Sequence, residues 1–228
     1  MLDTVASYNI EDYGARRGGH HLCTHAIVAA IAAASASGGG HVVVPRNGTF
    51  LSGSFSLASS VFLKLEPGSV LLASDQVADY PKAGWDWDPS LIDTHNTTRS
   101  GIIGSGRIDG QALPLWVDHY SPHRGWVPRT WAGVYGCIGE CRPKLVRFTD
   151  CSNIRLEGVE LSNSPDWTLL FRRTSNVHVH GIAIAGDHQW PNNDGIDVES
   201  GENISISEVR IDVGGERGRT GHAPLHGA

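Results

Sequence analysis

The chain has 228 residues and a formal net charge of −6, with 18% charged and 40% hydrophobic residues. This composition supplies a packed core and excludes wholesale disorder, and the acidic balance excludes a general nucleic-acid binder, whose footprint is basic. Glycine accounts for 28 residues, against a usual share of about 7%, which favours tight, turn-rich β structure. No run of about 20 apolar residues occurs, so we expect no membrane span.

The first regular element in the sequence is a predicted helix. Thr24 is expected to cap a run of mostly Ala, Ile and Val from His25 to Ala34, which three glycines close. We therefore expect a helix over about 24–35. Because it is apolar on nearly all sides, it should be buried or cover an apolar surface. The residues before it lack the basic segment and apolar run of a signal peptide, so no leader is visible in this chain.

Short strand-like runs follow this helix. They are rich in Val, Leu and Phe, they are bounded by turn residues, and the clearest are His41–Val44, Val61–Leu65 and Val70–Ala73. One opening helix followed by many short strands excludes an alternating βαβ fold.

The second half of the chain repeats itself. A pattern of Asn, then Ile or Val, then a second apolar residue recurs with its asparagines at Asn153, Asn176 and Asn203. We expect these asparagines to satisfy backbone groups at turns, and the Ile, Val and Leu side chains to form inward ladders. A second strand is predicted in each unit, over Val159–Leu161, Ile182–Ile184 and Val209–Ile211.

This period suits a solenoid whose coils stack at the β spacing of about 4.8 Å. A leucine-rich repeat would need its Leu-Asn consensus, which is absent, and a propeller would need periods near about 40 residues. We predict an all-β fold, a right-handed parallel β-helix over residues 1–213, with the helix as its N-terminal cap and the repeats clearest from 145. Residues 214–228 lack strand periodicity and are expected to form a divergent or disordered tail.

Four motifs carry a resemblance to a known family. In chain order they are Asp12–Ala15 with the helix and Gly39–Pro45 after it, Gly104–Gln111, Arg142-Pro143 leading into Cys151–Ile154, and Asn192–Asp197. The last reads Asn-Asn-Asp-Gly-Ile-Asp and is similar to an Asn-Thr-Asp-Gly-Ile-Asp signature. Together they resemble the polygalacturonase type of glycoside hydrolase, a family of pectin-degrading right-handed β-helices.

The resemblance stops after Gly214. The family continues with Gly-Asp-Asp, whereas this chain reads Gly-Gly-Glu, so the second and third catalytic aspartates would fall at Gly215 and Glu216. The later Gly-His-Gly and Arg-x-Lys motifs would lie beyond Ala228. The resemblance therefore covers the N-terminal half of the pattern, and we expect a chain truncated at its C-terminus by a frameshift, a misread intron or a genuine stop.

The resemblance implies hydrolysis of galacturonosyl linkages in pectin by an inverting mechanism, with no cofactor and no metal. Such a reaction needs a general acid and a base that activates water. The signature assigns the base to Asp194, and it assigns Asn192 to orienting that aspartate or contacting sugar. Asp197 is expected to serve the turn. Glu216 could act as a carboxylic acid, but Gly215 stands where the proton donor should be, so we expect very little hydrolysis.

Other side chains remain open to two interpretations. The basic residues Arg142, Lys144, Arg172 and Arg173 could bind galacturonate carboxylates, although the last two are also typical of a solvated turn. His178 and His180 could suggest a metal, but a third ligand is lacking, and we expect one of them to point inward and the other outward. Cys137 and Cys141 could close a small loop or remain free thiols, and the tryptophans between 85 and 131 could stack on sugars or anchor loops.

Two functions follow, and the residues after Gly214 distinguish between them. The first is a polygalacturonase-like hydrolase, and the alternative is a non-catalytic pectin-binding or vestigial β-helix. A pectate lyase would need a Ca²⁺ site, and the signature favours the hydrolase lineage over it. The expected partner is pectin or polygalacturonate, with no nucleic acid and no membrane, and the protein should be a monomer if its coils are fully capped. By family analogy it would be secreted or found in the cell wall.

Overall fold

The computed structural model describes residues 5–80, 89–112, 117–121, 125–128, 142–188, 190, 192–214 and 226–227. These contain the helix α1 (Thr24–Ala36), two short 3₁₀ helices (Ile10–Tyr13 and Val77–Asp79) and twenty strands. The strands are Ser7–Asn9 (β1), Gly40–Val44 (β2), Thr49–Ser52 (β3), Val61–Leu65 (β4), Val70–Ala73 (β5), Ser90–His95 (β6), Thr98–Gly104 (β7), Arg107–Asp109 (β8), Val117–Ser121 (β9), Gly125–Pro128 (β10), Lys144–Thr149 (β11), Ser152–Glu157 (β12), Glu160–Ser162 (β13), Leu169–Arg172 (β14), Ser175–His180 (β15), Ala183–Ala185 (β16), Ile196–Glu199 (β17), Glu202–Ser207 (β18), Arg210–Asp212 (β19) and His226–Gly227 (β20). In this part of the chain no helix is both long enough and apolar enough to cross a membrane.

Three parallel sheets form the walls of a coil stack. The first sheet has the order β1-β2-β4-β7-β12-β15-β18, the second β3-β5-β8-β13-β16-β19, and the third β6-β11-β14-β17-β20. Successive strands along the chain belong to different sheets, so a coil such as β12, β13 and β14 gives one strand to each wall. The prediction of a right-handed parallel β-helix is therefore confirmed, and its hand follows the rule for parallel crossovers. Strands β9 and β10 form a separate antiparallel pair.

Ladders of identical or similar apolar residues fill the interior, as predicted. Ile154, Val177 and Ile204 stand in register across β12, β15 and β18. Phe148 and Phe171 stack in the third sheet, with ring centroids 5.9 Å apart. Each fully buried apolar side chain contributes about 1.5–3 kcal/mol of burial free energy, so the repeated pattern is what stabilises the stack.

The predicted strand bounds are close to those observed. The second strand of each repeat begins one residue later than predicted, at Glu160, Ala183 and Arg210. The shift has a backbone cause, because a residue with positive φ precedes each strand by two positions, namely Gly158, Gly181 and Glu208. That left-handed residue forms a turn, and the next residue completes the turn rather than starting the strand.

The role expected for the repeat asparagines is wrong. Asn153, Asn176 and Asn203 each have φ of 54–55° and stand second in a strand. Their exposed side chains bond to other side chains rather than to backbone groups, and the Asn203 Nδ2 donates to the Asn176 Oδ1 at 2.7 Å. Asparagine is favoured there because it tolerates a left-handed backbone better than most residues.

The helix lies where the sequence predicts it, but Thr24 does not cap it. Cys23 occupies the N-cap position and makes no side-chain capping bond. The Thr24 Oγ1 instead accepts a hydrogen bond from the Gly53 N–H at 2.8 Å, which ties the helix to the coil beneath it. The inner face of α1 is buried, including Ile27 and Ala30, so the expectation that it covers an apolar surface is confirmed.

Candidate active site

The signature residues lie at one edge of the third sheet. Because β11, β14 and β17 are parallel, the three segments that enter them lie side by side: residues 142–143, 165–168 and 192–195. Backbone hydrogen bonds join these segments, since the Thr168 N–H donates to the Asp194 carbonyl at 2.8 Å and the Val146 N–H donates to the Thr168 carbonyl at 3.0 Å. The stacking of coils therefore fixes the backbone on which the candidate base stands.

Arg142 spans all three segments. It is 2% exposed, and its guanidinium donates to the Pro165 carbonyl and, at 2.9 Å, to the Asn192 Oδ1. The Asp166 carboxylate lies 3.8 Å from the same guanidinium. The residue expected to bind a galacturonate carboxylate is thus buried, and it holds the signature turn in place.

Lys144 is also buried, at 4% exposure. Its ammonium group lies 3.4 Å from an Asp166 carboxylate oxygen and 4.8 Å from the centre of the Trp167 ring. Asp166 therefore stands between two buried cations, which offset the cost of burying its charge. Sequence reasoning missed Asp166, although it precedes β14 by three residues just as Asn193 precedes β17.

Asp197 does not serve the turn, contrary to expectation. It lies in β17, is 6% exposed, and its Oδ2 has no hydrogen-bond partner among the described residues. Burial, and then the neighbouring carboxylates of Asp194 and Asp166, raise the pKa of Asp197 to about 7, with Glu199 adding to this and Lys144 opposing it. At mildly acidic pH Asp197 is therefore a neutral carboxylic acid beside the candidate base.

The signature also contains one buried amide. Asn193 is 1% exposed; its Nδ2 donates to the Asp187 carbonyl at 2.9 Å and its Oδ1 accepts from the Gly214 N–H at 3.2 Å. By contrast, Asn192 is exposed. The turn thus directs one asparagine outward and anchors the other inside, with Asp194 following directly.

A separate buried ion pair lies on the same face of the third sheet as Asp197. The Arg147 guanidinium is fully buried and binds both carboxylate oxygens of Asp93, at 2.9 and 2.7 Å. The His95 Nε2 lies 2.8 Å from the same Asp93 carboxylate. Arg147 pairs in register with Asp93 and Leu170, and Leu170 pairs with Asp197. This pair joins the coils of β6 and β11, which are separated from the signature by the coil of β14.

The two remaining basic candidates lie away from the site. Arg172 binds Glu199 at 2.5 Å, and Arg173 binds Asp150 at 2.7 Å. The side chains of Arg173 and Asp150 are both nearly half exposed, in keeping with the solvated-turn interpretation. Each pair joins adjacent coils, so both arginines support the stack.

The expectation for the two histidines is wrong. His178 and His180 both point outward, with ring centroids 5.9 Å apart, while Val177 and Val179 point inward. Residues two apart in a strand share a face, so one-in, one-out placement was not available to them. Within the described ranges no group of three His, Cys, Asp or Glu side chains is arranged to hold a metal ion.

Several candidates fall outside the described residues. These are Gly215 and Glu216, the pair Cys137 and Cys141, and the side chains of all five tryptophans between 85 and 131. The site as described therefore consists of three carboxylates, two buried cations and the two signature asparagines.

Comparison with known proteins gives a consistent result. The sequence profile described as "Glycosyl hydrolases family 28" matches residues 35–216. The chain is 27% identical to the polygalacturonase of Cryptomeria japonica over 213 residues, covering 93% of this chain and 39% of that protein. It is 31% identical to a probable polygalacturonase of Vitis vinifera, covering 90% and 42%. A hyperthermoactive exopolygalacturonase from Thermotoga maritima superposes with a TM-score of 0.80 at 28% identity, covering 92% of this chain and 53% of that one.

The chain spans about two fifths of the length of these curated relatives, 39–42%. The matched part includes the signature residues and ends near Glu216.

Proposed function

This chain belongs to the glycosyl hydrolases of family 28, and we propose that it hydrolyses galacturonosyl linkages in pectin. The observation that carries this proposal is the gathering of Asp194, Asp197 and Asp166 at one sheet edge, with Lys144 and Arg142 among them. The names of the relatives, which are polygalacturonases, support the substrate class.

In the proposed reaction Asp194 is the base that activates water. The water oxygen forms a bond to the anomeric carbon while the bond from that carbon to the glycosidic oxygen breaks; Asp194 takes the proton from water, and a carboxylic acid gives one to the leaving oxygen. Thr168 holds the Asp194 backbone, so the carboxylate needs little reorganisation. After Gly214 the only acidic side chain in the sequence is Glu216, which is the candidate acid.

Asn192 is the proposed sugar contact. Its Oδ1 is already occupied by Arg142 at 2.9 Å, and its Nδ2 has no acceptor among the described residues. The exposed end of the side chain is therefore a donor, which suits the carboxylate or hydroxyl oxygens of galacturonate. This assignment gives Arg142 an indirect role, since it orients Asn192 rather than contacting the substrate.

The second candidate function is pectin binding without catalysis. Gly215 and Glu216 stand where the family resemblance places two aspartates, and each lost proton-transfer group costs about 10²–10⁴-fold in rate. A chain with one base and no matching acid would keep Asn192 and the sheet edge as a binding surface.

Release of reducing ends from polygalacturonate, together with calorimetric binding of trigalacturonate, distinguishes the two functions. We expect very slow hydrolysis by the natural chain, a further loss in Asp194→Asn, and an increase of at least about 10²-fold in the double variant Gly215→Asp/Glu216→Asp. Asp150→Asn, whose residue is exposed outside the site, is the matched control.

Binding without any gain in the double variant would favour the non-catalytic function. Absence of both binding and hydrolysis in all variants would contradict the pectin proposal.

We propose pectin polysaccharide as the partner and, since pectin is an extracellular polymer, a location outside the cell or in the cell wall. The proposal is supported by the kind of enzyme named among the relatives. Fractionation of the source cells with an antibody to the chain tests it, and a signal confined to the intracellular fraction would contradict it.

A further inference from the structure

The buried amide of Asn193 joins three segments around the candidate base. Its Nδ2 bonds to the Asp187 carbonyl in the segment after β16, and its Oδ1 bonds to the Gly214 N–H after β19. Asn193 itself directly precedes Asp194. One side chain therefore connects the turn of the base to an earlier point of its own coil and to the next coil.

Two glycines lie at the segments that this amide joins. A Cβ at Gly186 would lie 2.8 Å from the Asn193 Nδ2, and a Cβ at Gly214 would collide with the His188 carbonyl oxygen. The chain therefore approaches closely at both positions, and a side chain at either one would disturb the surroundings of Asn193.

The residue type at position 193 determines the distance between the side-chain atom that donates a hydrogen bond and the one that accepts. An amide donates from nitrogen and accepts at oxygen, two atoms about 2.2 Å apart given the bond lengths of a planar amide, whereas a hydroxyl must do both from one atom. The signature resembled by this chain has Thr here. A threonine at position 193 would have to make both hydrogen bonds from one oxygen atom, whereas Asn193 uses two.

We propose that Asn193 is a positioning residue that couples the Asp194 carboxylate to the chain at Gly214. This inference rests on the proposed role of Asp194 as the base. Gly214 leads directly into Gly215 and Glu216, where the resemblance places the other catalytic carboxylates.

Carboxyl ¹³C titration of Asp194, and hydrogen exchange at the Gly214 N–H, test the proposal without substrate. Asn193→Ala should shift the Asp194 titration midpoint and speed exchange at Gly214 by at least about tenfold, because the amide loses its acceptor. Asn193→Thr should fall between Asn193→Ala and the natural chain in both measurements. If the alanine variant fails to fold, the threonine variant is compared with the natural chain instead.

The matched control is His188→Ala. His188 contacts Asp212 at 2.6 Å and joins the same two segments from the exposed side, so its loss should lower Tm while leaving the Asp194 midpoint unchanged. A merely structural role for Asn193 would give the same pattern as His188→Ala, and that result would overturn the proposal. If trigalacturonate does not bind but the Asp194 midpoint still moves, the proposed function fails and the positioning role stands.

Discussion

Replacing Asp197 with Asn should stabilise the folded chain at neutral pH. The Asp197 side chain is 6% exposed, with an Oδ2 that has no hydrogen-bond partner among the described residues. Burial and the nearby carboxylates raise its pKa from 3.8 to about 7. A shift of that size corresponds to about 4 kcal/mol as an upper figure, and partial access of water reduces the expected gain to about 2 kcal/mol.

The sign of the effect depends on pH. Below about pH 4 the Asp197 carboxyl is protonated in both the folded and the unfolded chain, so Asp197→Asn should change little. Between about pH 4 and 7 the unfolded chain ionises first, and the natural protein loses stability as the pH rises. Above pH 7 the full penalty applies to the natural protein and is absent from the variant. The difference in the free energy of unfolding should therefore grow across this window.

Urea unfolding at intervals between pH 4 and 8 measures this difference. Asp150→Asn is a suitable control, because Asp150 is exposed, is paired with Arg173 and is not among the carboxylates that raise the pKa of Asp197; its loss should change the stability only slightly. The reasoning about Asp197 is refuted if Asp197→Asn destabilises the protein, or if its effect is the same at pH 4 and pH 8.

Three further substitutions test the packing of the coils, all by thermal or urea unfolding. Arg147→Ala should lower the free energy of unfolding by about 3–5 kcal/mol, since it leaves the buried Asp93 carboxylate without its two-point partner; a loss below about 1 kcal/mol would show that the pair is not buried as described. Gly101→Ala should prevent cooperative folding, because a Cβ there would collide with the Arg155 carbonyl oxygen. Gly181→Ala has open space around it and should cost only about 1–2 kcal/mol, so equal effects of the two glycine variants would contradict this account.

The fold was predictable where a strand has one buried face. Strands β12 and β15 alternate apolar and polar residues, and their repeat revealed the solenoid. The third sheet was harder to predict, because β11 is buried on both faces and carries Lys144 and Arg147 among its apolar residues. A strand of that kind shows no alternation, so periodicity alone does not reveal it.

The candidate site was predictable only in part. The signature identified Asp194 and Asn192 by their residue types and order. Asp166 was missed because its contact with Lys144 depends on coil stacking, which brings residues 22 apart in sequence within 3.4 Å. Asp197 was misread as a turn residue for a related reason, since its burial comes from the strand it occupies and from the coils beside it.

The sequence by itself determined the periodic ladder of apolar residues, and with it the coil repeat and the place of the signature turn. These properties are local or repeat at a fixed interval, so a linear pattern records them. Only the tertiary structure decided that Arg142 orients Asn192 instead of facing solvent, and that Asp197 holds its proton near neutral pH. Both outcomes depend on desolvation and on charges contributed by other coils, and a pKa responds to the distances between groups in space rather than to their order along the chain.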